Sequence, residues 1–372
     1  MAHADPQGSM FTEVRRYVFG RHLNWLLLLV PVLLALEFIH AGAVWLFIVS
    51  SLAIVPLAGI LGDATEEVAA RMGPAGGGLL SGTLGNATEL IIALLALRAG
   101  EVEVVKASIT GSILGNLLLV FGLSVLLGGL GRERQKFEPT HAGVNTSMLM
   151  LAVVGLVMPA VFDLVVYHSL DPNPPLIQKL SLGTAAVLIV TYFASFLFSF
   201  KTHKHLFTHE QHHHSEMSQR TAILLLVAAT LLIAWTSEVL VGQIEEASKA
   251  LGLTKFFVGM IVVAVVGNAA EHSAAVFAAR KNQMDLSLTI AVGSSVQIAL
   301  LVAPVLVFAS YLFGPPMSLV FNGFEIAAVL LSVLVISQIS SDGETNWFEG
   351  VQLVAVYLIL AIAFFFVPEN VK

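Results

Sequence analysis

Apolar runs long enough to cross a bilayer recur along the whole chain, and nothing else in the sequence constrains its fold so tightly. A helix needs about 20 mostly apolar residues to span the hydrocarbon core. Eleven such stretches can be read, at about 23–39, 43–65, 76–98, 104–130, 145–168, 176–200, 219–244, 254–280, 286–313, 318–338 and 346–367. Composition agrees: 57% of the 372 residues are hydrophobic and only 12% charged, where soluble domains carry about 25% charged residues. A soluble enzyme and a disordered chain are excluded. The net charge of -7 offers no basic surface, so no nucleic-acid partner is expected. With no cysteine there are no disulfides, thiolate metal sites or thiol nucleophiles. Backbone polar groups in lipid must pair internally, so the expected fold class is an all-α polytopic membrane protein.

Lys and Arg set the orientation, because cytoplasmic loops carry the excess. With a cytoplasmic N-terminus, twelve of the 18 basic residues fall inside, including Arg15, Arg16, Arg71, Arg132, Arg134, Arg280 and Lys281. Lys106, Lys255 and four others fall outside. The expected organisation follows. Residues 1–22 hold an expression-vector scar (Met1 to Ser9, before Met10) and a cytoplasmic N-terminus, and 23–42 form an extra first helix. Residues 43–200 and 219–372 form two larger units, joined by a His-rich cytoplasmic linker at 201–218.

The two units repeat each other. Gly85-Asn86-Ala87-Thr88-Glu89 recurs as Gly267-Asn268-Ala269-Ala270-Glu271, an offset of 182. At the same offset Gly111-Ser112-Ile113-Leu114 matches Gly293-Ser294-Ser295-Val296, and Leu118-Leu119-Val120 matches Leu300-Leu301-Val302. Small residues recur in membrane helices simply because they pack well, but a five-residue match containing an apolar-flanked Glu goes beyond that. The two motifs lie on the third and eighth spans, an odd separation, so the copies cross in opposite directions. Two inverted five-helix repeats plus one extra N-terminal helix is a transporter pattern, with the site at the midplane. A symmetric channel stays open at this point.

Glu89 and Glu271 are the acids that matter most. An ionised carboxylate within an apolar helix costs about 2.5–3.5 kcal/mol or more unless it has a partner or a proton. Neither motif-bearing helix carries a Lys or Arg near that depth, which points to a mobile cation as counter-charge. Two such acids brought together could be neutralised by one divalent cation or by two protons. Asn86, Asn268, Ser112, Ser294, Asn116 and Gln297 add carbonyl and hydroxyl oxygens, the donor type suited to a hard cation such as calcium rather than zinc. The alternative role for these Asn and Ser side chains is hydrogen bonding between helices.

The paired motifs GNATEL with GSIL, and GNAAEH with GSSVQ, resemble the signature repeats of the calcium/proton exchangers, the CAX branch of the cation/calcium exchanger superfamily. The resemblance runs from about residue 43 to the end. It implies an antiporter rather than an enzyme, with Glu89 and Glu271 as the central calcium and proton carriers. Calcium is then a transported substrate, with no cofactor. The expected partners are calcium, protons and the lipid bilayer, with a homo-oligomer left open, in a microbial plasma membrane. Manganese instead of calcium, or sodium instead of protons, are the nearest alternatives.

Further acids flank the motifs. Glu66, Glu67, Glu245 and Glu246, near the ends of the second and seventh spans, either draw calcium or relay protons, or are plain helix-end charges. His272 beside Glu271 either accepts a proton or packs. The linker holds His203, His205, His209, His212, His213 and His214, and His209 to His213 formally matches HExxH. A metalloprotease needs that motif on an ordered helix, so a solvated connector is the expectation, with a metal-sensing loop as the alternative.

Overall fold

The structure, a computed structural model, describes residues 22–168, 174–203, 217–314 and 316–368. Residues 1–21, with the scar and most of the N-terminal segment, and residues 204–216 of the His-rich linker lie outside the described residues. A 3-10 turn at His22–Leu28 leads into α1 (Leu29–Phe38), followed by α2 (Ala43–Ala69), α3 (Gly73–Leu84), α4 (Ala87–Arg98) and α5 (Val102–Gly129). Next come α6 (Pro139–Tyr167), α7 (Pro175–Leu197) and α8 (Gln219–Leu251). The chain continues through α9 (Lys255–Gly267), α10 (Ala269–Arg280) and α11 (Met284–Phe313), then α12 (Gly323–Ile339) and α13 (Trp347–Phe365).

Seven of these helices are long and apolar enough to cross a membrane, and two bent pairs, α3 with α4 and α9 with α10, bring the number to nine. Two shorter apolar helices, the N-terminal one and α12, complete the set among the described residues. Proline, Asn caps and left-handed residues place the ends. Asn322 and Asn346 each accept from a backbone N–H while Glu325 and Glu349 return a bond to the cap, starting α12 and α13 with capping boxes. Gly252, at φ 68°, stops α8.

The centre of the bundle is decided by burial. The most apolar window of α5 is 83% buried, against 22% for α7 and for α13. Thus α5 is a core element, whereas α7 and α13 are largely exposed at the surface of the bundle. Both α5 and α11 contain a π-turn, at Gly115–Val120 and Ile298–Val302. Such bulges commonly sit at functional sites. The expectation of a purely helical chain is amended in one detail. Gln135–Lys136 (β1) pairs antiparallel with Glu344–Thr345 (β2), held by Arg134 and Lys136 on the Glu344 carboxylate at 2.6 and 3.2 Å. Two connectors that meet at a bundle end can pair their backbones in this way.

The connector contacts fall into two groups. In one, Gln135 Nε2 donates to Asn282 Oδ1 at 3.2 Å, Asp285 Oδ1 accepts from Glu138 N at 2.6 Å, and Arg71 donates to the Met217 carbonyl. In the other, Lys255 pairs with Glu101 at 2.9 Å, and Gln178 donates to the Pro316 carbonyl at 3.2 Å. Lys106 belongs to the second group and needs a correction. Counted among the basic residues outside, it lies within α5 and is buried, its ammonium donating to the Val320 carbonyl at 2.7 Å.

Candidate ion-binding site

Each motif Asn stands at a helix break. Asn86 (φ -94°, ψ 25°) separates α3 from α4, and Asn268 (φ -96°, ψ 7°) separates α9 from α10. Both lie near the sparsely populated bridge region, so the α-helical bonding pattern stops there and restarts one residue later. The two rods bend by 43° and 60°. Glu89 and Glu271 therefore occupy the first turn of a fresh helix, where unpaired N–H groups favour a carboxylate.

The breaks meet across the two halves of the sequence. Asn86 Nδ2 donates to Gln297 Oε1 at 2.5 Å, and Ser294 Oγ donates to Asn86 Oδ1 at 3.0 Å. Reciprocally, Asn268 Nδ2 donates to Ser112 Oγ at 2.9 Å, and Asn116 Nδ2 donates to Asn268 Oδ1 at 3.2 Å. Each Asn is thus held by residues of the opposite half. Ser294 Oγ also lies 2.5 Å from Glu271 Oε2.

Glu89 differs from Glu271. Both of its carboxylate oxygens are buried without a hydrogen-bond partner among the described residues. A small cavity opens beside it, lined also by Ser108, Ser112 and Ile298. Gly267 of the opposite motif packs on its stem: a Cβ there would stand 3.2 Å from Glu89 Cγ. A buried carboxylate whose oxygens make no hydrogen bond lacks much of what its ionised form requires. Among the described residues no group of three or more His, Asp or Glu side chains could hold a metal. A cation here would draw on two carboxylates plus amide, hydroxyl and backbone oxygens, the mixture that calcium accepts.

All seven primary candidates, and Asn116, are therefore gathered at one place. His272 sits one residue on, half-buried, with Nε2 buried and unbonded among the described residues. The flanking acids lie elsewhere. Glu66 and Glu246 are exposed; Glu67 is buried and pairs with Arg71 at 3.5 Å. Glu245 pairs with Lys249 at 2.6 Å and with Lys255 at 3.2 Å. Exposed pairs of this kind contribute about 0–1 kcal/mol, so Glu245→Gln is expected to change transport less than about twofold in a vesicle flux assay. Ser108 and Tyr192 were not singled out from sequence. Neither belongs to a repeated motif, and only tertiary packing brings them to the broken helices.

The sodium/calcium exchanger protein family matches this sequence over residues 42–201 and 221–366. The chain belongs to that family. Within it, this exchanger is 46% identical over 367 residues to a Ca(2+)/H(+) antiporter of Synechocystis, covering 93% of this chain and 97% of the relative. It is 42% identical over 343 residues to the Ca(2+)/H(+) antiporter ChaA of Bacillus subtilis, covering 90% and 96%. A solved structure of native YfkE superposes with a TM-score of 0.79 at 41% identity, covering 91% of this chain and 97% of that one. These likenesses place the exchanger in the calcium/proton branch, the branch that its GNAAEH and GSSVQ motifs resemble.

Proposed function

We propose that the protein is an antiporter that exports cytoplasmic calcium in exchange for protons by alternating access. Glu89 and Glu271 bind either the cation or protons. Among the supporting observations, the one that carries the reading is the buried, unbonded Glu89 carboxylate beside the opposite motif. In lipid such a group is tolerable protonated or with a cation, and these are the two loads an exchanger alternates.

The hydroxyl of Ser294 offers a way for the two halves to sense the load. It has one proton and lies within bonding distance of both Glu271 Oε2 and Asn86 Oδ1. With Glu271 protonated, the acid donates to Ser294, and Ser294 donates to Asn86. With Glu271 ionised, Ser294 turns its proton to the carboxylate and releases Asn86. Load at one break is thereby felt at the other. Lower pH on the calcium-binding side weakens calcium binding, because protons compete for the same carboxylates.

Eleven crossings in two inverted repeats are the topology that fits the connector contacts. With alternation, the connectors carrying Arg71, Gln135, Glu138, Asn282 and Glu344 fall on one face. Those carrying Glu101, Gln178, Lys255 and Pro316 fall on the other. The paired helix breaks and the paired π-turns add support, each pair lying about 182 residues apart. The reading keeps the N-terminus and the His-rich linker cytoplasmic in a cell membrane. It assigns no resident cofactor and leaves self-association open. Inside-out vesicles test the driving ion. An acid-inside pH gradient is expected to drive calcium uptake, and a sodium gradient of equal size at clamped pH to drive none. Sodium-driven uptake, or manganese taken up in preference to calcium, would contradict the reading.

A further inference from the structure

The backbone carbonyl four residues before each motif Asn meets different donors in the two halves, and only in the first half is it without its helical backbone partner. In the second half it belongs to Ala264. Asn268 covers it twice, from its backbone N at 3.2 Å and from Nδ2 at 2.8 Å. In the first half the equivalent carbonyl belongs to Gly82. Asn86 gives its side-chain amide to Gln297 instead, and the Gly82 carbonyl accepts from Tyr192 Oη at 2.9 Å. Tyr192 is buried on α7, a helix otherwise largely exposed at the surface of the bundle. Phe196, one turn on, meets its ring edge-on at 5.1 Å. Both rings require a glycine opposite: a Cβ on Gly82 would stand 2.6 Å from Phe196 Cζ and 2.9 Å from Tyr192 Oη.

The geometry points to Tyr192 as a positioning residue, a latch that holds the α3 half-helix in one of the two access states. The latch rests on the alternating-access reading above. Its chemistry is a choice of donors for one carbonyl. While Asn86 holds Gln297, Tyr192 bonds Gly82. If Asn86 releases Gln297, its amide can cap Gly82 as Asn268 caps Ala264, and the phenol is free to let go. The second half has no need of such a latch, because Asn268 already makes the equivalent bond.

Tyr192→Phe keeps the ring and removes only the donor. One net hydrogen bond corresponds to about a fivefold change in an equilibrium. The apparent calcium KM should therefore shift about fivefold on one membrane face relative to the other, compared in inside-out and right-side-out vesicles. The melting temperature should stay within about 2 °C of the parent, because the packing is retained. A variant that lowers the maximal rate equally from both faces, with KM unmoved on each, would show a structural role and overturn the latch. A second measurement reads the latch without transport. The chain has no cysteine, so Leu79→Cys on α3 can carry a single spin label. Tyr192→Phe should raise its mobility, and an unchanged spectrum overturns the proposal even if calcium/proton exchange itself is confirmed.

Discussion

Glu89→Gln and Glu271→Gln are each expected to reduce pH-driven calcium uptake at least about 100-fold while leaving the protein folded. The reason is charge. A divalent cation in lipid is neutralised by two carboxylates, and removing one member of a buried charge pairing costs about 3–5 kcal/mol, which is roughly 100-fold or more in affinity. The two variants should differ in their side effects. Glu89 has no hydrogen-bond partner to lose among the described residues, so its amide substitute leaves the neighbouring bonds intact. Glu271 lies 2.5 Å from Ser294, which in turn reaches Asn86. Glu271→Gln uncouples that chain from protonation, because a Gln amide has no proton that comes and goes with pH. Calcium binding measured by calorimetry reads the effect that the two variants share. Both variants should lose binding, whereas proton release on calcium addition should fall to near zero in both. Uptake that persists unchanged in both would remove these glutamates from the site.

Gly111→Ala is expected to prevent stable assembly, whereas Gly293→Ala is expected to be tolerated. The two glycines occupy equivalent positions in the repeated GS motifs. Their surroundings are opposite. A Cβ on Gly111 would stand 2.6 Å from the Met260 carbonyl carbon and 2.9 Å from Ala264 Cβ; around Gly293 nothing lies within 4 Å. Met260 belongs to the π-turn Val258–Val263 within α9, so α5 and α9 cross with backbone against backbone. Gly259 makes the same demand from the other side, its added Cβ falling 2.8 Å from the Val104 carbonyl. Small residues allow this kind of close helix approach in membranes. A methyl that meets backbone cannot be accommodated by a rotamer change, and overpacking costs about 1–3 kcal/mol or more. Detergent-solubilised Gly111→Ala should lose its monodisperse peak or melt well below the parent; Gly293→Ala should match the parent. Equal behaviour of the two variants would contradict the packing described.

The same glycine pair shows what could and could not be read from the sequence. The spans were legible because each is a run of about 20 apolar residues, and the helices fall close to them: α2 at Ala43–Ala69 against 43–65, α11 at Met284–Phe313 against 286–313. The acids were legible because a Glu in such a run is conspicuous, and repetition singled out two of them. Gly111 and Gly293 are written identically, yet only one is sterically required, and that follows from which helix crosses which. The exchange of partners between halves was equally hidden. Asn86 bonds Ser294 rather than its sequence neighbour Ser112. Lys106 shows a third kind of miss. A cation near a span end looks solvated, but here it reaches the Val320 carbonyl and the Ser318 hydroxyl inside the bundle. Glu325, by contrast, left a readable trace, since Asn322 three residues earlier announces a capping box.

Obligatory coupling of the two ions is the central claim, and it can be measured directly. Purified protein in sealed vesicles, with a trapped pH indicator and no imposed pH or sodium gradient, is given an inward calcium gradient. Calcium entry is expected to drive protons out, alkalinising the lumen. That signal should vanish in Glu89→Gln and Glu271→Gln together with the calcium flux. Calcium entry with no proton movement, or with conductance in discrete single-channel steps, would contradict exchange and identify a passive pathway.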